Sequence, residues 1–85
     1  MQQFSYVITD EIGIHARPAG MLVKVAKNFK SKITLNGKEK TADATKLMAV
    51  MSMGIKYGDT VEVSVEGEDE TAAAAELETF FKENL

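Results

Sequence analysis

In "FSYVIT", near the start of the chain, apolar and polar residues alternate, with Phe4, Tyr6 and Ile8 on one face and Ser5, Val7 and Thr9 on the other. A two-residue period predicts a strand with one buried face. After Ala16 the period lengthens. Ala19, Leu22, Val23, Ala26 and Phe29 recur at helical spacing while Lys24, Lys27 and Asn28 fall on the opposite side, which predicts an amphipathic helix over 16–30. Lys30 suits the negative end of that helix dipole.

"KITLNGKEKTA" has the pattern of a hairpin, with Ile33 and Leu35 inward and Asn36-Gly37 supplying the left-handed residues of a tight turn. "KLMAVMSM" is a short helical run that Gly54 would stop. "TVEVSVEG" alternates cleanly, Val61, Val63 and Val65 inward and Thr60, Glu62, Ser64 and Glu66 outward. Over 69–84, Ala73, Ala74, Leu77, Phe80 and Phe81 share a helical face, and Glu68, Asp69 and Glu70 suit its N-terminus. The predicted order is β-α-β-β-α-β-α. Four strands with one apolar face each, covered by amphipathic helices, make an α+β two-layer sandwich with a mainly antiparallel sheet.

Composition narrows the function. Eighty-five residues form one domain, 1–85, with no linker or repeat inside it. No run approaches the length of a membrane span, and "MQQFSYVITD" has neither a basic head nor an apolar segment of the secretory kind. A cytoplasmic protein without membrane insertion is expected. The absence of cysteine excludes disulfides and thiolate chemistry, and a single histidine excludes a multi-histidine metal site in one chain. The net charge of −3 is unevenly spread: residues 12–56 hold nine of the ten Lys and Arg but only Glu39 and Asp43 of the thirteen acids. This basic segment lacks interleaved aromatics or a nucleic-acid motif, so an acidic protein surface or a phosphate group suits it better than nucleic acid.

The sole histidine and sole proline both stand in "GIHARPAG", 13–20, where the first helix is predicted to begin. A helix start presents backbone N–H groups without intrahelical partners and a partial positive charge, which together attract anions. Pro18 fits a first turn, where it has no N–H bond to lose. Arg17 adds a planar guanidinium that matches phosphate oxygens. His15 would bring a nucleophilic nitrogen to the same point, its imidazole kept neutral by the nearby positive charge. The pattern thus suits a histidine that becomes phosphorylated, and equally allows a plain surface or capping histidine. In "KLMAVMSMGI", Leu47, Val50 and Met51 share one helical face and Met48 and Ser52 another. A short helix cannot bury all its methionines, so pattern alone leaves core filling and an adaptable docking patch both open.

With these residues in view, the chain resembles the HPr family, the histidine-containing phosphocarriers of the bacterial sugar phosphotransferase system. The matching stretches are "GIHARPAG" at 13–20, "NGK" at 36–38, "LMAVMSMGI" at 47–55 and "VSVEGEDE" at 63–70, in the family's order and spacing. The resemblance implies an open-faced sandwich: a four-stranded antiparallel sheet covered on one face by three helices. It implies that His15 accepts a phosphoryl group on Nδ1 from phosphorylated enzyme I, which draws it from phosphoenolpyruvate, and passes it to the IIA domains of sugar permeases. Arg17 corresponds to the family's phosphate-stabilising arginine, and Ala16 and Arg17 lie where backbone N–H groups approach the phosphate. Gly20, Met21, Lys24, Lys27, Leu47, Met48 and Met51 fall on the family's partner-binding face. No cofactor or metal is implied, and a carrier that meets partners briefly is expected to be a monomer.

The chain departs from the pattern at Lys46, where many relatives carry a serine phosphorylated by an ATP-dependent kinase. Lysine puts positive charge where that phosphate would put negative charge, so the expectation is a carrier without this switch. Thr45 and Ser52 are the neighbouring hydroxyls, each readable as a cap or plain surface group. Two other readings remain: a regulatory or nitrogen-branch phosphotransfer protein of the same fold, and a small acyl-phosphate hydrolase. The second lacks a further acid, base or water-positioning residue beside His15.

Overall fold

A computed structural model of the protein describes residues 1–14 and 16–85; His15 lies outside the described residues. The elements are β1 (Gln2–Val7), α1 (Ala16–Ala26), β2 (Lys32–Gly37), β3 (Lys40–Asp43), α2 (Leu47–Ser52), β4 (Thr60–Glu66) and α3 (Glu70–Asn84). Their order is the one the patterning predicts. All pairings are antiparallel and the strand order is β1-β4-β2-β3, which leaves β1 and β3 as edges.

Alternation decides which face is covered. Ile33, Leu35, Ala42, Val61, Val63 and Val65 are buried beneath the helices, while Ser5, Thr34, Asn36, Glu62 and Ser64 lie on the open face. Helix α3 lies across β1 and β4, α2 meets β3, and α1 packs against both other helices. Phe81 centres the aromatic part of the core, its ring edge-on to Phe4, Tyr6 and Phe80 at centroid distances of 5.9, 5.7 and 6.1 Å. Such edge-to-face pairs add to the apolar burial itself. Leu22, Leu77, Val50 and Met53 complete the helix side of the core.

Two details differ from the patterning. The first helix ends at Ala26, not at Lys30. Its ladder tightens there, Asn28 N–H donating to Val25 O and Phe29 N–H to Ala26 O. The next two amides are taken by another element: Asp69 accepts Lys30 N–H at 2.8 Å, Ser31 N–H at 2.9 Å and the Ser31 hydroxyl. Phe29 is consequently only half-buried, beyond the helix. Second, the hairpin turns at Lys38-Glu39, both with positive φ (50° and 64°), because Gly37 pairs with Lys40 inside the ladder. Within the strand, a Cβ on Gly37 would stand 2.8 Å from Ile55 Cδ1, the end of a side chain, and 3.3 Å from Thr60 O. A shift of two residues preserves the faces, so Ile33 and Leu35 still point inward. Asp69 and Glu70 open α3, acids at the helix N-terminus as the sequence predicts, although the Asp69 carboxylate makes no cap bond to that helix.

Asp69 therefore joins the α1–β2 connection to the start of α3. The Ser31 hydroxyl, then the Lys30 amide, hold its carboxyl below the ordinary aspartate range. A depressed folded pKa contributes stability that is complete above the unfolded value of about 3.9 and fades as pH falls through the folded one. Asp69→Ala should melt at a lower temperature than the parent near neutrality, with the gap closing below about pH 4. Thermal melts across the acid range read this, and a gap independent of pH would contradict the assignment.

Candidate functional site

Helix α1 opens with Ala16, Arg17 and Pro18, which places proline in the first turn, where no intrahelical N–H bond is lost. Pro18 is buried, while Ala16 and Arg17 are exposed. Helix geometry leaves the amides of Ala16 and Arg17 without partners inside the helix. The chain reaches this point through a tightly held turn. Asp10 accepts Ile12 N–H on its carboxylate at 2.9 Å and Gly13 N–H on its carbonyl at 3.0 Å. Ile14, buried directly before the predicted phosphoacceptor, donates its amide to Ile55 O at 3.0 Å. Gly13 has φ 82°, and a Cβ there would lie 2.5 Å from both Ile55 O and Lys56 Cα. His15, expected from the sequence to carry the phosphoryl group, is not among the described residues; both of its neighbours are.

The segment 54–59 that receives this turn is itself braced. Lys38 Nζ donates to Gly54 O at 2.9 Å and pairs with Asp59 at 3.1 Å. Asp59 accepts Lys56 N–H at 2.7 Å, and this bond, with the Lys38 ammonium second, keeps its carboxyl below the usual range. Ile8 exchanges backbone bonds with Asp59 and Gly58. Lys40 Nζ donates to Ser52 O at the C-terminal end of α2, where the helix dipole favours a cation. Sequence patterning missed these lysines because their acceptors are carbonyls more than ten residues away.

The residues expected to form a docking face, Lys27 excepted, lie on two helices that pack together. Met21, Lys24, Leu47, Met48 and Met51 are exposed, Met48 by 76%, and Gly20 is half-buried on α1. Lys27 is exposed one residue past the end of α1. The methionine cluster divides: Met53 and Val50 fill the core, while Met48 and Met51 face outward. Lys46 is exposed and occupies the N-cap position of α2 with no side-chain cap bond. The hydroxyl of Thr45 donates to Asp43 at 2.6 Å, and that bond leads the causes that lower the Asp43 pKa. Ser52 donates its hydroxyl to Ala49 O.

Beside the start of α1, Asp10, Arg17, Pro18, Met21 and Asn84 line a concave pocket of about 250 Å³. Asp10 was not among the expected site residues. It lies in a turn with no periodicity to mark it, and only the fold brings it into the pocket that Arg17 lines.

The sequence profile of the PTS HPr component phosphorylation site matches residues 2–83. The chain belongs to the HPr family. The phosphocarrier protein HPr of Mycoplasma capricolum is 44% identical over 69 residues, covering 81% of this chain and 78% of that one. A histidine-containing phosphocarrier protein from Mycoplasma superposes with a TM-score of 0.94 at 36% identity, over 96% of this chain and 93% of that one. An HPr dimer from Thermoanaerobacter tengcongensis gives a TM-score of 0.77 at 34% identity, over 98% and 95% of the two chains. HPr proteins are phosphocarriers of the phosphotransferase system rather than catalysts, and the open-faced sandwich seen here is theirs.

Two glycines of this HPr motif should respond oppositely to alanine. Gly13→Ala forces a side chain into the backbone of Ile55 and Lys56 at positive φ and should cost about 1–3 kcal/mol. Gly20→Ala meets nothing within 4 Å in a helix interior and should add about 0.5–1 kcal/mol. Paired denaturant titrations decide; equal effects would show that the Gly13 contact does not hold the turn.

Proposed function

We propose that this chain carries a phosphoryl group on His15, receiving it from phosphorylated enzyme I and delivering it to IIA domains of sugar permeases. The observation that supports this best is the placement of Ala16 and Arg17 at the open first turn of α1. Helix geometry leaves these two amides without intrahelical partners, and such donors, with a guanidinium on the same turn, stabilise a dianionic phosphoryl group. In the transfer, an imidazole nitrogen supplies the electron pair for the new N–P bond while the donor's bond to phosphorus breaks. The acceptor reverses the exchange, so the protein is returned unchanged. No cofactor enters this scheme.

Met21, Leu47, Met48 and Met51 form the apolar part of the partner-binding face in this reading, with Gly20 allowing close approach and Lys24 and Lys27 supplying a basic rim for acidic partners. Carriage between partners in the cytoplasm requires that face to be uncovered, which a monomer provides. Feeding sugar uptake is preferred to a purely signalling or nitrogen-branch role, since the comparisons favour the phosphocarrier itself.

The test is incubation with enzyme I, magnesium and phosphoenolpyruvate, followed by intact mass. The expected result is a single added phosphoryl group, labile in acid and stable in alkali, that is absent from His15→Ala. Arg17→Ala should still be labelled, with transfer slowed about a hundredfold. Labelling of His15→Ala equal to the parent would overturn the assignment.

Lys46 makes this carrier constitutive, because the position that carries the regulatory serine in many relatives has no hydroxyl here. The hydrogen bond from Thr45 to Asp43 further argues against its use as a substitute. Incubation with an HPr kinase and ATP should leave the protein unmodified; stoichiometric phosphoserine or phosphothreonine would contradict this.

A further inference from the structure

The pocket beside α1 pairs the chain's only arginine with a fixed carboxylate. Asp10 is half-buried, and the turn immobilises it: one carboxylate oxygen takes Ile12 N–H, its carbonyl takes Gly13 N–H, and its own N–H donates to Leu85 O. Arg17, Pro18, Met21 and Asn84 complete the pocket, with Asn84 tied back to Phe80 O through its amide nitrogen. Asp10 and Arg17 thus share one concavity, and among the described residues neither forms an ion pair. Opposite charges that line one partly enclosed pocket attract, the more so as the walls exclude water.

We infer that Asp10 is a positioning residue that competes with the phosphoryl group for Arg17. This rests on the carrier reading above. In the unphosphorylated protein the carboxylate draws the guanidinium toward the pocket. When the N–P bond forms at His15, the dianion draws Arg17 the other way, and Asp10 opposes both the dianion and the loss of its partner. The carboxylate takes no part in bond making or breaking. Its effect is to weaken retention of the phosphoryl group, which keeps onward transfer favourable despite the amides and arginine that hold it.

Asp10→Asn suits the test because an amide oxygen can still accept the Ile12 N–H, so the turn is kept while the charge is removed. Two measurements are made. In the unphosphorylated proteins, ¹H–¹⁵N spectra of the Arg17 Nε–H should show a clear shift and faster guanidinium rotation in Asp10→Asn. In the second, isotope-labelled parent and unlabelled variant compete for limiting phosphoenolpyruvate through a trace of enzyme I, and mass reads the partition at equilibrium. The phosphoryl group should favour Asp10→Asn by about three- to tenfold, as expected for one charge acting at short range in a partly solvated site. In an Arg17→Ala background the preference should fall toward unity. An Arg17 signal unmoved by the substitution, an equal partition, or a preference that persists without Arg17 would each overturn the proposal. Should no protein accept a phosphoryl group, the carrier reading fails, and the spectrum of Arg17 still decides whether the two charges are coupled.

Discussion

Gly13 lies against the peptide linking Ile55 to Lys56 so closely that a Cβ would stand 2.5 Å from backbone atoms of both residues. Beside it, Ile14 donates its amide to Ile55 O. These contacts press the turn before α1 onto the segment between α2 and β4, and so set where the first turn of α1 emerges. Lys38 braces the same segment through Gly54 O and Asp59, and Ile8 ties it to the end of β1. The open end of α1 is thus held from three directions by ordinary hydrogen bonds and one close approach that only glycine permits.

What that scaffold leaves uncovered follows from the layering. One face of the sheet is buried by the helices, and α1 and α2 turn their inner faces to the core through Leu22, Ala26 and Val50. Their outer faces carry Met21, Met48 and Met51, flexible side chains suited to more than one partner. Lys24 on α1, Lys27 just past its end and Lys46 before α2 are exposed as well, in a protein whose net charge is negative.

Most of the architecture was legible because each strand and helix has one wet face and one dry face. Val61, Val63 and Val65 alternate with polar residues, and Ala19, Leu22, Val23 and Ala26 repeat at helical spacing; both patterns report burial directly. Details decided by distant elements were not legible. Asp69 takes the amides of Lys30 and Ser31 just beyond α1, and Gly37 pairs with Lys40 inside the ladder, so that the turn falls at Lys38-Glu39. The same division holds at the site. Arg17 and Pro18 could be assigned to the helix start from local chemistry, while Asp10 joins the pocket only through the fold. The outward methionines were separable from the buried Met53 only once α2 was placed.

The central claim is that the first amides of α1 receive a phosphoryl group on His15. It is tested most directly by ¹H–¹⁵N spectra of the protein before and after phosphorylation by enzyme I. The account predicts large downfield shifts of the Ala16 and Arg17 amide protons, as new charge-assisted hydrogen bonds form, with α3 amides little changed. A protein phosphorylated on His15 whose Ala16 and Arg17 amides do not move would contradict it.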